Sequence, residues 1–171
     1  MQQIIVSSCL LGEPARYDGS LHVHEHEVLK RWIAEGRVVS VCPETAGGLP
    51  VPRPAAEMNP ALPPLTLNDG QTIARVVDAS GKDFTAEFVS GAEKIVSLAR
   101  EKGIRVAVLK ERSPSCGSSI IYDGSFRSCQ VPGEGVATQR LRQAGIKVFS
   151  EEQLAEADKY LRHLIPFPNY L

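Results

Sequence analysis

Four cysteines are the residues of this 171-residue chain with the most distinctive chemistry. They are Cys9, Cys42, Cys116 and Cys129. A cytosolic thiol serves as a small buried hydrophobe, as a metal ligand, or as a redox or catalytic group. Structural disulfides are rare in a reducing compartment, so these are the roles to separate. Composition alone favours the buried hydrophobe.

Three of the cysteines share one feature, because each lies at or after the end of a predicted buried strand. The β-branched runs that predict these strands are residues 4–10, 37–42 and 106–109. In doubly wound α/β sheets, ligands bind in the crevice outside the carboxyl ends of the parallel strands. Cys9, Cys42 and Cys116 are therefore expected to meet at one edge of the sheet, although they lie 33 and 74 residues apart.

The donor type restricts the metal. Soft thiolates favour zinc or an iron–sulfur cluster over a hard cation. Structural zinc sites use close pairs such as Cys-x-x-Cys, and the sequence has no such pair. Three widely spaced ligands suit a site with one open position, where an iron can act as a Lewis acid. From the pattern alone, three inert core cysteines remain the alternative. Cys129 is a fourth ligand, a free thiol or, as we expect, a bystander.

Helical and extended periodicities alternate along the chain, which predicts a parallel sheet with helices on both faces. Further predicted elements are helices near 28–33, 84–99, 136–144 and 154–164, a strand at 147–149, and a hairpin of 65–67 with 72–77. Residues 43–64 and 122–135 are predicted as loops, and a Pro-rich tail follows the last helix. The fold class is α/β, a Rossmann-like three-layer sandwich with a mostly parallel sheet and a small hairpin insertion. We expect one domain spanning residues 1–171.

Charge and hydropathy exclude several partners. The formal net charge is −1, and no run of Lys and Arg occurs. We therefore expect no nucleic-acid surface. No apolar stretch reaches the length of a membrane span, and the N-terminus lacks the basic region of a signal peptide. A cytoplasmic location is expected, and the oligomeric state stays open.

Short motifs follow one another along the chain in a characteristic order. They are Cys9-Leu10-Leu11-Gly12, Arg16-Tyr17-Asp18-Gly19, Cys42-Pro43-Glu44, Gly47-Gly48-Leu49, Pro52-Arg53, Gly91-Ala92, Leu109-Lys110, Ser113-Pro114-Ser115-Cys116-Gly117, Ile121-Tyr122-Asp123-Gly124 and Gly133-Glu134-Gly135-Val136. Each motif alone is weak, but together and in this order they resemble the bacterial thiouracil desulfidases. The resemblance runs from residue 4 to about residue 151.

The resemblance implies a [4Fe-4S] cluster held by Cys9, Cys42 and Cys116, with the fourth iron free of protein ligands. It implies removal of sulfur from a small thiolated base such as 2-thiouracil, giving uracil and sulfide. Glu44 and Ser113 match the family's acidic and hydroxyl residues, so general acid/base work and hydrogen bonding to the substrate are expected of them. Without the resemblance, Glu44 is a loop carboxylate or helix cap, and Ser113 is a turn residue.

Other polar and small residues are weaker candidates. Arg16, Asp18 and Arg53 are candidates for the rim of the site, although each is also an ordinary loop charge. The glycines at 47–48 either let the backbone approach a ligand closely or form a flexible turn. The N–H groups of 133–135, which precede a predicted helix, are candidates for binding an anion.

Three other functions remain open at this stage. A cluster-dependent hydro-lyase, or an enzyme acting on another thio-substrate, differs from a desulfidase in that thiolated bases release no sulfide. A non-catalytic iron–sulfur or metal sensor predicts that Glu44→Ala leaves the biological role intact. A redox thiol protein predicts thiols of low pKa and no iron, and the lack of Cys-x-x-Cys argues against it.

Overall fold

The computed structural model describes residues 1–164, within which it contains ten strands and five helices. The strands are β1 (Ile4–Ser7), β2 (Val38–Val41), β3 (Ala56–Asn59), β4 (Leu65–Thr66), β5 (Thr72–Ile73), β6 (Arg75–Asp78), β7 (Val106–Leu109), β8 (Ile120–Tyr122), β9 (Gln130–Pro132) and β10 (Lys147–Ser150). The helices are α1 (Glu27–Ala34), α2 (Pro43–Ala46), α3 (Thr85–Lys102), α4 (Val136–Gln143) and α5 (Leu154–His163). None of these helices is long and apolar enough to cross a membrane. The predicted Pro-rich tail lies outside the described residues.

Four strands form a central parallel sheet in the order β10-β7-β1-β2. β1 therefore has β2 on one side and β7 on the other. In this register Ser7 lies beside Val41, and Leu109 lies beside Ser150, so the carboxyl ends of the strands share one edge. A parallel sheet whose first strand lies between its second and third has its ligand crevice at that edge.

Helices cover both faces of this sheet, as alternation along β1 requires. Ile4 and Val6 face a core built with α1 and α5, where Trp32 is fully buried. Ile5 faces the opposite core, which α3 and α4 complete with Leu141 and other apolar residues. The structure therefore confirms a Rossmann-like three-layer α/β sandwich.

Small antiparallel pairs lie outside the central sheet. The predicted hairpin is present as β4 and β5, although its second arm breaks and continues as β6, which pairs with β3. The prediction that residues 43–64 form only loop is wrong, because α2 and β3 lie in it. Proline suits the first turn of a helix, where its missing N–H has no partner to lose. The predicted loop 122–135 likewise contains β9, which pairs with β8.

Candidate functional site

A cavity of about 440 Å³ opens at the carboxyl edge of β1, β2 and β7. Cys9, Cys42 and Cys116 all line it. Cys9 lies in the 3-10 turn directly after β1, and Cys42 is the N-cap residue of α2. Both are half-buried, whereas Cys116 is buried. The structure thus brings together the three thiols that strand order and motif order had singled out.

The short helix α2 carries one wall of the cavity, and its backbone packs closely against the backbone of α3. A Cβ atom at Gly91 would lie 1.7 Å from the Pro43 carbonyl oxygen, and one at Gly47 would lie 2.0 Å from the Glu87 carbonyl oxygen. Only glycine permits this approach at either position. Gly47 therefore serves helix packing, and the hypothesis that the glycines at 47–48 let the backbone approach a ligand stays a prediction.

Glu44 is fixed by hydrogen bonds to both oxygens of its carboxylate. The Nε of Arg53 donates to Oε1 at 3.0 Å, and the Ser115 hydroxyl donates to Oε2 at 2.8 Å. Arg53 is buried and also donates to the carbonyl oxygens of Pro50 and Ala15, at 3.1 and 2.8 Å. The guanidinium thus holds Glu44 in place from within the protein, and both residues line the cavity.

Two serine hydroxyls continue from Glu44 toward the cavity. The oxygens of Ser113 and Ser115 lie 2.9 Å apart. Because Ser115 has one hydroxyl hydrogen and gives it to Glu44, Ser113 is the donor between the two serines. The direction of donation is therefore Ser113 to Ser115 to Glu44. Ser115 was not among the predicted site residues, although its place in the Ser-Pro-Ser-Cys motif was the available signal.

The segment 110–119, here called the Cys116 loop, carries the opposite wall and turns around the carboxylate of Glu111. That carboxylate accepts hydrogen bonds from the backbone N–H groups of Ser118, Ser119 and Ile120 at 2.7–3.1 Å. The hydroxyls of Ser118 and Ser119 also donate to it, at 2.8 and 3.1 Å. Burial alone would raise the pKa of Glu111, but these bonds outweigh it and lower the pKa to about 2.

Helix α4 holds the same loop from its other side. The N–H groups at its start donate to loop carbonyls at 2.8–2.9 Å: Gly135 to Gly117, Val136 to Pro114, and Ala137 to Ser115. A Cβ atom at Gly135 would lie 2.4 Å from the Ser115 carbonyl carbon, so glycine is required there too. The N–H group of Gly133 likewise donates to the Ser119 carbonyl at 3.0 Å, so the hypothesis that the 133–135 segment binds an anion is wrong for the N–H groups of Gly133 and Gly135.

The thiols interact electrostatically with one another and with cations nearby. Burial and the neighbouring Cys42 raise the pKa of Cys9 to about 11, while Lys110 and Arg16 act in the opposite direction. Burial raises the pKa of Cys116 further, with contributions from Cys9 and Cys42. The Ser7 hydroxyl donates to the Cys116 sulfur at 3.6 Å, which favours its thiolate, and the Ser115 oxygen lies 3.5 Å from the same sulfur.

The donor set fits an iron–sulfur cluster. Three soft thiol ligands line one cavity, and the Ser7 hydroxyl donates to the most buried of them. Within residues 1–164, no three His, Cys, Asp or Glu side chains are grouped to hold a single metal ion. A cluster makes a different demand, because each cysteine binds a different iron.

The remaining candidates divide between cavity and surface. Arg16 lines the cavity, as does Arg53. Asp18 is exposed and accepts the backbone N–H of Ser20, which is a local turn contact. Cys129 is exposed on the segment between β8 and β9, away from the cavity lining. Of the three charged candidates for the rim, Arg16 and Arg53 therefore line the cavity and Asp18 does not.

The fold and the site together define a class: α/β proteins with an iron–sulfur donor set at the carboxyl edge of a parallel sheet. Within it, the chain belongs to the 2-thiouracil desulfurase family, whose model matches residues 4–153. It is 40% identical over 151 residues to the uncharacterized protein YbbK of Bacillus subtilis (strain 168), covering 88% of this chain and 97% of that protein. It is also similar to the solved structure of the [4Fe-4S]-dependent thiouracil desulfidase TudS, with a TM-score of 0.85 and 47% identity over 96% of this chain and 100% of that one. The resemblance found in the motifs is confirmed.

Proposed function

We propose that this protein is a [4Fe-4S]-dependent desulfidase that converts a thiolated pyrimidine such as 2-thiouracil, with water, into uracil and sulfide. Family membership and the likeness to TudS support the reaction. The observation that carries the proposal is the meeting of Cys9, Cys42 and Cys116 in the cavity that also holds Glu44. Family membership favours this activity over the sensor, the hydro-lyase and the redox thiol protein.

Cys9, Cys42 and Cys116 are the residues that would hold the cluster. When bound, the cluster supplies an iron without a protein ligand, which acts as a Lewis acid toward the soft thiocarbonyl sulfur. The chain itself provides the Ser7 hydroxyl that donates to the Cys116 sulfur and the cavity that the three cysteines line. The cytoplasm is the location we propose, since the thiols must stay reduced to bind iron. The unit is a single domain spanning residues 1–171.

Glu44 is the general base in this proposal, and it acts through the two serines. The Ser113 hydroxyl takes a proton from the attacking water as its own proton passes to Ser115 and that of Ser115 passes to Glu44. The hydrogen bond from Ser115 to Glu44 and the 2.9 Å separation of the two serine oxygens support this transfer. The oxygen of water stays on the ring carbon, and its two hydrogens leave with the sulfur as hydrogen sulfide. Arg53 keeps the Glu44 carboxylate in place throughout.

The test is anaerobic reconstitution with iron and sulfide, followed by a visible spectrum and an assay for uracil after addition of 2-thiouracil. We expect broad cluster absorption and uracil formation in the wild type, and the loss of both in Cys9→Ala. Cys129→Ala is the matched control, since it removes an exposed thiol outside the cavity and is expected to keep both. Absence of a cluster under anaerobic conditions would refute the ligand assignment. A stable cluster that forms no uracil would refute the substrate.

A further inference from the structure

The segment 123–129 between β8 and β9, here called the 123–129 turn, reaches the same cavity. Phe126 and Ser128 line it. Both have backbone in the left-handed region, with φ of 58° and 57°. Residues other than glycine adopt this conformation uncommonly, and for a bulky side chain it persists only where surrounding structure imposes it. What holds the turn is therefore informative.

Glu57 on β3 provides that hold. Its Oε1 accepts the backbone N–H of Gly124 at 3.1 Å and that of Phe126 at 3.2 Å. Gly124, with φ of 91°, packs so closely on β3 that a Cβ atom would lie 2.8 Å from the Met58 carbonyl oxygen. The turn is thus docked on β3 by a carboxylate and by close backbone contact, and both fix the backbone of Phe126.

Phe126 lines the same cavity as Glu44 and Ser113. Besides Phe126, Tyr17 and Tyr122 line the cavity that the three thiols share. Tyr17 is 44% exposed, and Tyr122 lies in the regular strand β8. Phe126 alone among them combines partial burial with a backbone held in the left-handed region. An aromatic face against a nucleobase contributes about 1–3 kcal/mol and tolerates any flat heterocycle.

We propose that Phe126 is a specificity-determining residue that stacks on the flat ring of the thiolated base, and that Glu57 is the positioning residue that sets its place. This inference rests on the proposed function and adds the contact that selects planar substrates. Stacking acts on the substrate ring before and during the reaction alike, so it lowers KM and leaves kcat nearly unchanged.

The experiment compares kcat and KM for 2-thiouracil in reconstituted variants. Phe126→Ala is expected to raise KM about tenfold with kcat within about twofold of the wild type. Phe126→Tyr keeps an aromatic face and is expected to retain the wild-type KM. Phe126→Leu keeps apolar area without that face and is expected to fall between. Tyr160→Ala removes an aromatic side chain from α5, which packs on Phe149 away from the cavity, and serves as the control.

Glu57 variants test the positioning role. Glu57→Ala removes the acceptor and is expected to raise KM as Phe126→Ala does, with no further rise in the double variant. Glu57→Gln keeps a carbonyl oxygen that can accept the same two N–H bonds, so it is expected to restore the wild-type KM. If Glu57 served only to keep the protein folded, Glu57→Ala would instead lower kcat and cluster absorption and leave KM unchanged.

Binding of uracil, measured by calorimetry, separates this inference from the proposed function. Uracil is not turned over, so a tenfold weaker Kd in Phe126→Ala supports the stacking contact even if the wild type forms no uracil from 2-thiouracil. An unchanged KM and Kd in Phe126→Ala, or a fall in kcat at unchanged KM, would overturn it. If Phe126→Ala does not fold, Phe126→Leu carries the same decision.

Discussion

The two walls of the cavity are held by different physical means. The α2 wall carries Cys42 and Glu44 and rests on α3 through close backbone contact at Gly47 and Gly91. The Cys116 loop carries the opposite wall and closes around the buried carboxylate of Glu111, which accepts several hydrogen bonds. Close backbone packing positions the α2 wall, and hydrogen bonds to an ionised carboxylate position the Cys116 loop.

The two kinds of support tolerate different perturbations. Close backbone packing has no adjustable part, so added volume must displace α2 and the residues it carries. A buried carboxylate keeps its place only while it is ionised and its donors remain. The hydrogen bond from Ser115 to Glu44 joins the two walls, so the proton path exists only when both are in place.

The largest effect is expected from Gly91→Ala, which breaks the wall held by shape. Its Cβ atom would overlap the Pro43 carbonyl oxygen, and backbone must move to relieve the overlap. We expect a loss of about 4 kcal/mol in the free energy of unfolding, measured in urea. Ser90→Ala, on the exposed face of the same helix, is the control and is expected to have no measurable effect. A Gly91→Ala protein as stable as the control would show that the packing is not limiting.

The next effect comes from Ser115→Ala, which cuts the connection between the walls. Without this hydroxyl, Ser113 has no path to Glu44, so we expect kcat to fall about 100-fold while cluster absorption is retained. Steady-state kinetics with 2-thiouracil measure it. Ser119→Ala removes a hydroxyl of the same loop that contacts Glu111 instead. Similar kcat values in the two variants would contradict the proton path.

The smallest effect is expected from Glu111→Gln, which weakens the wall held by charge. The amide replaces one accepting oxygen by a donor that faces N–H and O–H groups. We therefore expect the free energy of unfolding at pH 7 to fall by about 2 kcal/mol. Urea unfolding measures it. Glu101→Gln, an exposed carboxylate on α3, is the control and is expected to leave stability unchanged.

Glu111→Gln is also expected to change how the stability of the protein depends on pH. The pKa of Glu111 falls from 4.5 to about 2 on folding, so its contribution to stability is present above about pH 5 and is lost as the pH falls toward 2. The wild type should therefore lose stability in this range more steeply than Glu111→Gln. Parallel pH profiles for the two proteins would show that another group holds the loop.

Local patterns were sufficient for the elements that bring the cysteines together. The β-branched runs at β1, β2 and β7 predicted buried parallel strands, and topology then placed Cys9, Cys42 and Cys116 at one edge. Cys116 lies seven residues after the end of β7, so its place at this edge was predicted from the Ser-Pro-Ser-Cys motif as well as from the strand. The roles assigned to Glu44 and Ser113 stay predictions, which the experiments above test.

What the sequence did not reveal depends on contacts between distant residues. Ser115 meets Glu44 across 71 positions, and no local period reports such a contact. Proline and glycine hid α2 and β3, because their turn signals outweigh a helix of four residues and a strand that needs β6 to form. Nothing in the sequence indicated that Gly91 lies against the Pro43 carbonyl, because the two residues are 48 positions apart.

The order of the central sheet has a consequence for the chain during synthesis. β1 is made first yet lies between β2 and β7, and the loop with Cys116 is held by α4, which begins at Val136. The three thiols therefore come together only after most of the chain has left the ribosome. A cluster held by all three cysteines would therefore be assembled only after α4 has folded against the loop.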